Sequence, residues 1–141
     1  MNALSSIAPP DLRDEVNALA EADDPRRAFL RACWFEASDD PSLQTHIARD
    51  LQGRPLLALP LVAKSVGPLK IPQIAGAYWP FRGAPIDPTT SVEELASALA
   101  DHTVARELGP AWRLGPAIAD DPSLLLLREA AAQAGWHCLE R

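Results

Sequence analysis

One stretch of the sequence, residues 76–86 (GAYWPFRGAPI), gathers side chains that bind organic ligands. Its aromatic rings offer faces that pack against sugars and aliphatic chains. Its arginine adds a planar guanidinium, which pairs with carboxylates and phosphates. We therefore predict a substrate-contacting patch made of Tyr78, Trp79, Phe81 and Arg82. The alternative is that the rings only cover the core, with the arginine stacked on one of them.

The histidines and cysteines show no spacing typical of a metal site. His46, His102 and His137 form no i,i+4 pair, so we expect no zinc site. His102 would serve as a general base only if it faced a cleft. Cys33 and Cys138 lie far apart in the chain, and we predict that both are buried thiols.

Three pairs of carboxylates have spacing that suggests a structural role. Asp23-Asp24, Asp39-Asp40 and Asp120-Asp121 each precede a proline. An aspartate followed by proline is typical of a helix start or a turn, where the carboxylate accepts from backbone amides. We therefore predict caps and turns at these positions, and no acid/base dyad.

The composition predicts one folded domain of 141 residues with net charge −6. Basic residues cluster only at Arg26-Arg27, which argues against a nucleic-acid surface and hence against nucleic-acid partners. The first residues lack the pattern of a secretion signal. The longest apolar stretch, residues 55–63, is too short to span a bilayer. We expect a cytoplasmic protein with no membrane span.

The elements that must position the patch begin after residue 23. We interpret residues 1–23 as a loose N-terminal arm and residues 24–141 as the domain. Asp24 and Pro25 predict the start of a helix that runs to Ala37. Its buried face is predicted from spacing to contain Phe29, Cys33, Trp34 and Ala37.

Three strands are predicted next. Alternation over residues 47–51 indicates a half-solvated outer strand, and the apolar run 56–63 indicates a strand covered on both faces. Pro60 interrupts this run, so we expect a bulge or an unpaired edge there. A third strand is predicted from Leu69 to Tyr78.

The second half alternates helices and strands. Ser91 and Glu94 match a capping box at the start of a helix that ends at Gly109. A strand over residues 112–118, a helix over 122–134 and a strand over 136–140 follow. The predicted fold class is α/β (α+β), a mixed and largely antiparallel sheet flanked by helices, in the order α-β-β-β-α-β-α-β.

This order, together with IARDLQGRPLLALPLV, the YWPFRGAP corner and WRLGPAIADDPSLLLLREAAAQAGWHCLER, resembles the GNAT acyltransferase superfamily. More narrowly, it resembles the N-terminal lobe of two-lobed members of the type described as acetyltransferases of cellulose or exopolysaccharide biosynthesis. The resemblance implies transfer of an acyl group from acetyl-CoA or another acyl-CoA. It also implies that residues 24–141 are the first lobe of a longer protein.

In the active lobe of such enzymes, a turn of the form Gln/Arg-x-x-Gly-x-Gly/Ala holds the coenzyme pyrophosphate with backbone amides. Gln73 and Gly76 match this pattern, but Tyr78 stands where glycine or alanine is needed. Pro80, Pro85 and Pro88 also remove amides before the helix. The resemblance therefore implies that this chain binds no cofactor by itself.

Two classes of function remain open at this point. The first is the non-cofactor lobe of an acyltransferase, which contacts a small-molecule, saccharide or amine acceptor and pairs with a second GNAT lobe or a homodimer partner through its C-terminal strand edge. The second is a degenerate GNAT fold that acts as a non-catalytic interaction or dimerisation module. A self-sufficient acyltransferase with an unusual coenzyme site ranks below both.

Overall fold

The fold is α+β, with an antiparallel sheet and helices packed on it. The structure is a computed structural model that describes residues 4–5, 9–76 and 82–140. Within these ranges the strands are β1 (Leu4–Ser5), β2 (Gln44–Arg49), β3 (Pro55–Val66) and β4 (Leu69–Ile74). The helices are α1 (Pro9–Ala22), α2 (Ala32–Glu36), α3 (Val92–Ala100), α4 (His102–Leu108) and α5 (Pro122–Gln133), with a 3-10 turn at Pro25–Arg27.

The sheet has the order β1-β2-β3-β4, and all of its ladders are antiparallel. β3 lies at its centre, and its residues 56–59 have no exposed surface. This confirms the prediction that the apolar run forms a strand covered on both faces. Helix α1 packs on β3, α3 packs on β2, and α5 packs on α3.

Residues 9–22, expected in a loose arm, instead form the regular helix α1. Val16, Leu19 and Ala20, which gave only a weak apolar pattern, are all buried. These three apolar side chains are enough to stabilise the helix, because they pack on the apolar surface of β3. Most helical stability in proteins comes from such packing.

The prediction of one continuous helix from Asp24 to Ala37 is wrong, because the segment forms two short helical pieces with a break between them. A 3-10 turn follows the cap at Asp24, whose pKa is lowered to about 2 chiefly by its hydrogen bonds with the Arg26 side chain and amide. The chain then unwinds before α2 begins at Ala32.

The break changes which side chains this segment buries. The buried apolar residues are Leu30, Ala32 and Phe35, whereas Phe29 is 40% exposed and Ala37 is exposed. Cys33, predicted to be buried, is exposed, because the break rotates α2 relative to the spacing assumed for one continuous helix. Cys138, also predicted to be buried, is exposed in the C-terminal segment.

The capping box before α3 is confirmed. The Ser91 hydroxyl accepts from the Glu94 amide at 3.1 Å, and the Glu94 carboxylate accepts from the Ser91 amide at 2.9 Å. The helix predicted to run to Gly109 breaks at Asp101, which caps α4 by accepting from the Thr103 amide. Gly109 ends α4 with φ 75°, a conformation that glycine adopts without a steric penalty.

Helix α5 begins as predicted, with the Asp121 carboxylate accepting from the amides of Ser123 and Leu124. The strands predicted on either side of it are wrong. Residues 112–118 form no strand; they make isolated bridges at Arg113, which pairs parallel with Gln73 of β4, and at Ala117. Residues 136–140 have no ladder partner in the part of the chain that the structure describes. Trp136 instead packs edge-on against the Trp112 ring, with centroids 5.9 Å apart.

Candidate functional site

The chain pairs with one edge of β3 in two places, first along β4 and again after a loop. We call this pairing chain the partner line of β3. The Ala75 amide donates to the Pro60 carbonyl oxygen at 2.8 Å, and Ile86 later bridges Leu57. Between these contacts β3 advances by three residues and its partner line by eleven, so the partner line contains eight residues more than a continuous ladder needs. We call residues 76–84 the extruded loop; its residues 77–81 lie outside the described residues.

The proline inside the central strand lies where the pairing with β4 ends. The last β3–β4 pair is Leu61–Ile74, and the Pro60 carbonyl oxygen then accepts from the Ala75 amide at 2.8 Å. Pro60 has no N–H to donate in return, so its edge of β3 lacks one bond at the end of this ladder. β3 is regular at Pro60, which still pairs with Thr45 of β2, so the bulge expected in this strand is not found there.

A buried ion network holds the point where the extruded loop returns. The Arg27 Nη2 donates to the carbonyl oxygen of Ala84 at 2.7 Å, and its Nε donates to Asp23 Oδ2 at 3.0 Å. The same guanidinium pairs with Asp121, and the Ala84 amide donates to the Ser123 hydroxyl at 3.0 Å. Sequence reasoning assigned the two aspartates to caps and missed this network.

Of the predicted patch, only the arginine lies among the described residues; Tyr78, Trp79 and Phe81 lie outside them. Arg82 is half-buried, and its side chain folds back over Gly76. A Cβ on Gly76 would lie 2.8 Å from the Arg82 Cγ, so only glycine allows this approach. The Arg82 Nε is buried and has no hydrogen-bond partner within the described ranges.

The Arg82 guanidinium and the buried Gln73 lie close to the same glycine, Gly115, and a second arginine bonds to that glutamine. The Arg82 Nη1 and the Gln73 Cδ each lie 3.1 Å from the point that a Cβ on Gly115 would occupy. The Arg113 Nε donates to the Gln73 Oε1 at 2.5 Å, and Gln73 is only 2% exposed. The structure thus brings together one predicted site residue and two that the sequence analysis did not assign to a patch.

A small polar cavity of about 70 Å³ adjoins Arg82 at the end of β4. Ser38, Asp40 and Lys64 line it, together with Gly76. The Lys64 Nζ lies 3.8 Å from an Asp40 carboxylate oxygen. The pKa of the Asp40 carboxyl group is lowered, mainly by hydrogen bonds from the Ser42 hydroxyl and amide. Asp40, expected only to make a turn, therefore also helps to form this cavity.

The N-terminus of α3 is surrounded by acidic side chains. The Arg54 guanidinium pairs with Asp50, Asp87 and Glu94 at 3.1, 2.8 and 3.1 Å. Hydrogen bonds from Thr89 and Arg54 lower the pKa of Asp87. Three carboxylates against one guanidinium leave this end of the helix with an excess of negative charge.

A second cavity, of about 180 Å³, lies between α1, α2 and β2. Its lining is mainly apolar, formed by Leu12, Val16, Ala32, Phe35 and Leu43. A salt bridge between Arg13 and Glu36 lies at its edge, and both side chains are exposed.

The three histidines remain separate. His46 is buried on β2 with its Nδ1 3.5 Å from a Glu107 oxygen, whereas His102 and His137 are exposed. No group of histidine, cysteine and carboxylate side chains within residues 9–76 and 82–140 has the arrangement of a metal site.

Comparisons with known proteins leave the site to be interpreted from its own chemistry. No family model, curated protein or solved structure matches the chain. Among the helices of the described residues, none has the length and apolar character needed to cross a bilayer.

Proposed function

We propose that the chain is a GNAT-like lobe that supplies acceptor contacts to a coenzyme-A-dependent acyltransferase, and that another lobe binds the coenzyme. The observation that carries this proposal is the extruded loop, which interrupts a strand line at the centre of the molecule. The loop contains all of the aromatic residues and the arginine of the predicted patch. Interruptions of a strand are common next to active sites, where they re-aim side chains.

The connection from β4 to Arg113 also supports a ligand site at this place. The chain leaves β4, passes through α3 and α4, and returns to a bridge parallel to β4 at Gln73. In sheets with parallel crossovers, ligands bind beyond the carboxyl ends of the strands. The carboxyl end of β4 is where the extruded loop begins.

The N-terminus of α3 argues against coenzyme binding by this chain. A pyrophosphate needs free amides and positive potential at a helix N-terminus. The amides of Ser91 and Glu94 are already used by the capping box. The carboxylates of Asp50, Asp87 and Glu94 around Arg54 would repel a diphosphate.

The proposal is tested by mapping ligands on the ¹⁵N-labelled chain by NMR. We expect acceptor-like amines and saccharides to shift the resonances of Gly76, Arg82 and Gly83, and acetyl-CoA to cause no saturable change. Acetyl-CoA that saturates in the micromolar range at Ser91 and Glu94 would overturn the proposal in favour of a self-sufficient enzyme. Acceptors that shift only residues around the α1–α2 cavity would refute the role of the extruded loop.

A second candidate function, a non-catalytic interaction module, is favoured by exposed apolar side chains near the C-terminus. Ile118 is 45% exposed, Leu125 44% and Leu139 87%. Leu127, in the same helix as Leu125, is buried and does not contribute to this exposed surface. Sedimentation velocity on the chain and on its Leu125→Glu variant tests this candidate. A dimer that the substitution dissociates would favour the module, provided that no ligand shifts the resonances of the extruded loop.

A further inference from the structure

We infer that Arg82 and Arg113 together bind one carboxylate or phosphate group, so that the acceptor is an anionic molecule. The identification of the bound anion as the acceptor rests on the proposed function. The anion site itself is inferred from the charges and distances around Gln73.

Most arginines of the described residues pair with a carboxylate. Seven arginines of the described residues lie within salt-bridge distance of a carboxylate: Arg13, Arg26, Arg27, Arg31, Arg49, Arg54 and Arg128. Arg82, Arg106 and Arg113 have no such partner within the described ranges. In a chain of net charge −6, two unpaired arginines at the same glutamine stand out.

Arg106 and Arg82 differ in what surrounds them. Arg106 on α4 is exposed, and so is Arg113, so water solvates both guanidinium groups; Arg113 differs in contacting Gln73. Arg82 is half-buried, and its Nε is shielded from solvent without any acceptor among the described residues. A buried donor without a partner is costly, and more so when it carries charge. Arg82 therefore needs an acceptor that this part of the chain does not supply.

The geometry around Gln73 is suited to an anion. The Arg113 Nε donates to the Gln73 Oε1, so the Gln73 Nε2 remains as a hydrogen-bond donor. That nitrogen and the Arg82 Nη1 lie 3.2 and 3.1 Å from the point that a Cβ on Gly115 would occupy. The Arg82 Nη1 and the Gln73 Nε2 therefore both lie close to Gly115, where a Cβ would crowd them, and the Arg113 guanidinium contacts the same glutamine. Both guanidinium groups are positively charged, so each would attract an anion bound beside this glutamine.

A carboxylate and a phosphate share the chemistry that this arrangement recognises. Both accept several hydrogen bonds from guanidinium groups, and arginine binds either of them through paired donors. The cavity next to Arg82 contributes Lys64 as a further cation, although Asp40 offsets it. The two ligand types are therefore distinguished by experiment.

The test is a titration of the ¹⁵N-labelled chain with sodium acetate and, separately, with sodium phosphate, at a constant ionic strength of about 0.15 M set by chloride. We expect saturable shifts at Gln73, Arg82 and Gly115 with at least one anion, and the tighter one names the group on the acceptor. Arg82→Ala and Arg113→Ala should each raise the Kd by about tenfold or more, as expected for loss of a charge-assisted contact. Arg106→Ala is the matched control and should leave the Kd unchanged.

Gln73→Glu keeps the test decisive if an alanine variant does not fold. This nearly isosteric change places a carboxylate of the chain between the two arginines, so anion binding should be lost while the fold and the thermal transition are retained. No saturable shift with either anion, an equal loss in Arg106→Ala, or undiminished binding in Gln73→Glu would overturn the inference. Coenzyme binding at α3 would overturn the proposed function but would leave this site untouched.

Discussion

The Arg27 side chain joins three segments that lie far apart in the sequence. Its guanidinium contacts Asp23, Asp121 and the Ala84 carbonyl oxygen, and it is 8% exposed. Replacing Arg27 with Met leaves the Asp23 carboxylate buried without its partner. We expect the free energy of unfolding to fall by about 3–5 kcal/mol, as is usual when one member of a buried ion pair is removed.

Arg26 is the natural control for this change. It is the neighbouring residue, its side chain is 86% exposed, and among the described residues its ion pair is with Asp24. Arg26→Met should leave the urea unfolding curve unchanged, because an exposed ion pair contributes little to stability. Equal losses in the two variants would mean that the buried network does not stabilise the return of the extruded loop.

His46 should make stability depend on pH near neutrality. Burial lowers the pKa of His46 below its ordinary value of 6.5, and Glu107 only partly opposes this effect. As the pH falls through about 6.5, the unfolded chain takes up a proton that the folded side chain resists. The contribution of the neutral, buried His46 to stability is therefore fully present above this pH and is lost below it.

Urea unfolding of wild type and His46→Gln between about pH 8 and pH 5 measures this effect. Wild type should lose stability as the pH falls, and the variant should lose much less over the same interval. His102→Gln, which changes an exposed histidine, should behave like wild type. Identical pH dependence in wild type and His46→Gln would contradict the assignment.

The contribution of the cap to the stability of α3 is tested by replacing serine with alanine at the cap and inside the helix. Ser91→Ala removes the hydroxyl that accepts from the Glu94 amide, so we expect a loss of about 1 kcal/mol in the free energy of unfolding. Ser97→Ala changes an exposed position inside the same helix and should stabilise the protein by a few tenths of a kcal/mol, because alanine has the higher helix propensity. Chemical unfolding should therefore give opposite signs, and a shared sign would show that the cap does not stabilise α3.

The whole molecule depends on the central strand. Leu59 has no exposed surface, so Leu59→Ala should lower the free energy of unfolding by about 2–5 kcal/mol through lost burial and a new cavity. Leu51→Ala removes the same atoms from a side chain that is 78% exposed and should change stability by less than about 0.5 kcal/mol. Urea denaturation of both variants checks this, and similar losses would mean that β3 is not the centre of the core.

The sequence by itself determined the features whose causes lie within a few residues. The capping box at Ser91 and the cap at Asp121 follow from hydrogen bonds that span three residues or fewer. The antiparallel strands lie in stretches separated by turns, and the buried centre of β3 follows from its largely apolar content. The strand expected over residues 47–51 exists as β2 (Gln44–Arg49), but its half-solvated outer position is wrong, because β2 lies between β1 and β3 and buries three consecutive residues.

Only the tertiary structure decided how distant segments share their hydrogen bonds and charges. Arg27 and Asp121 are 94 positions apart, and Gln73 and Arg113 are 40 apart, so no local periodicity predicts that they meet. The strands expected over residues 112–118 and 136–140 have suitable side chains, but a strand forms only where a neighbour offers free backbone groups. The extruded loop likewise depends on where the edge of β3 accepts the returning chain, which is a property of the assembled sheet.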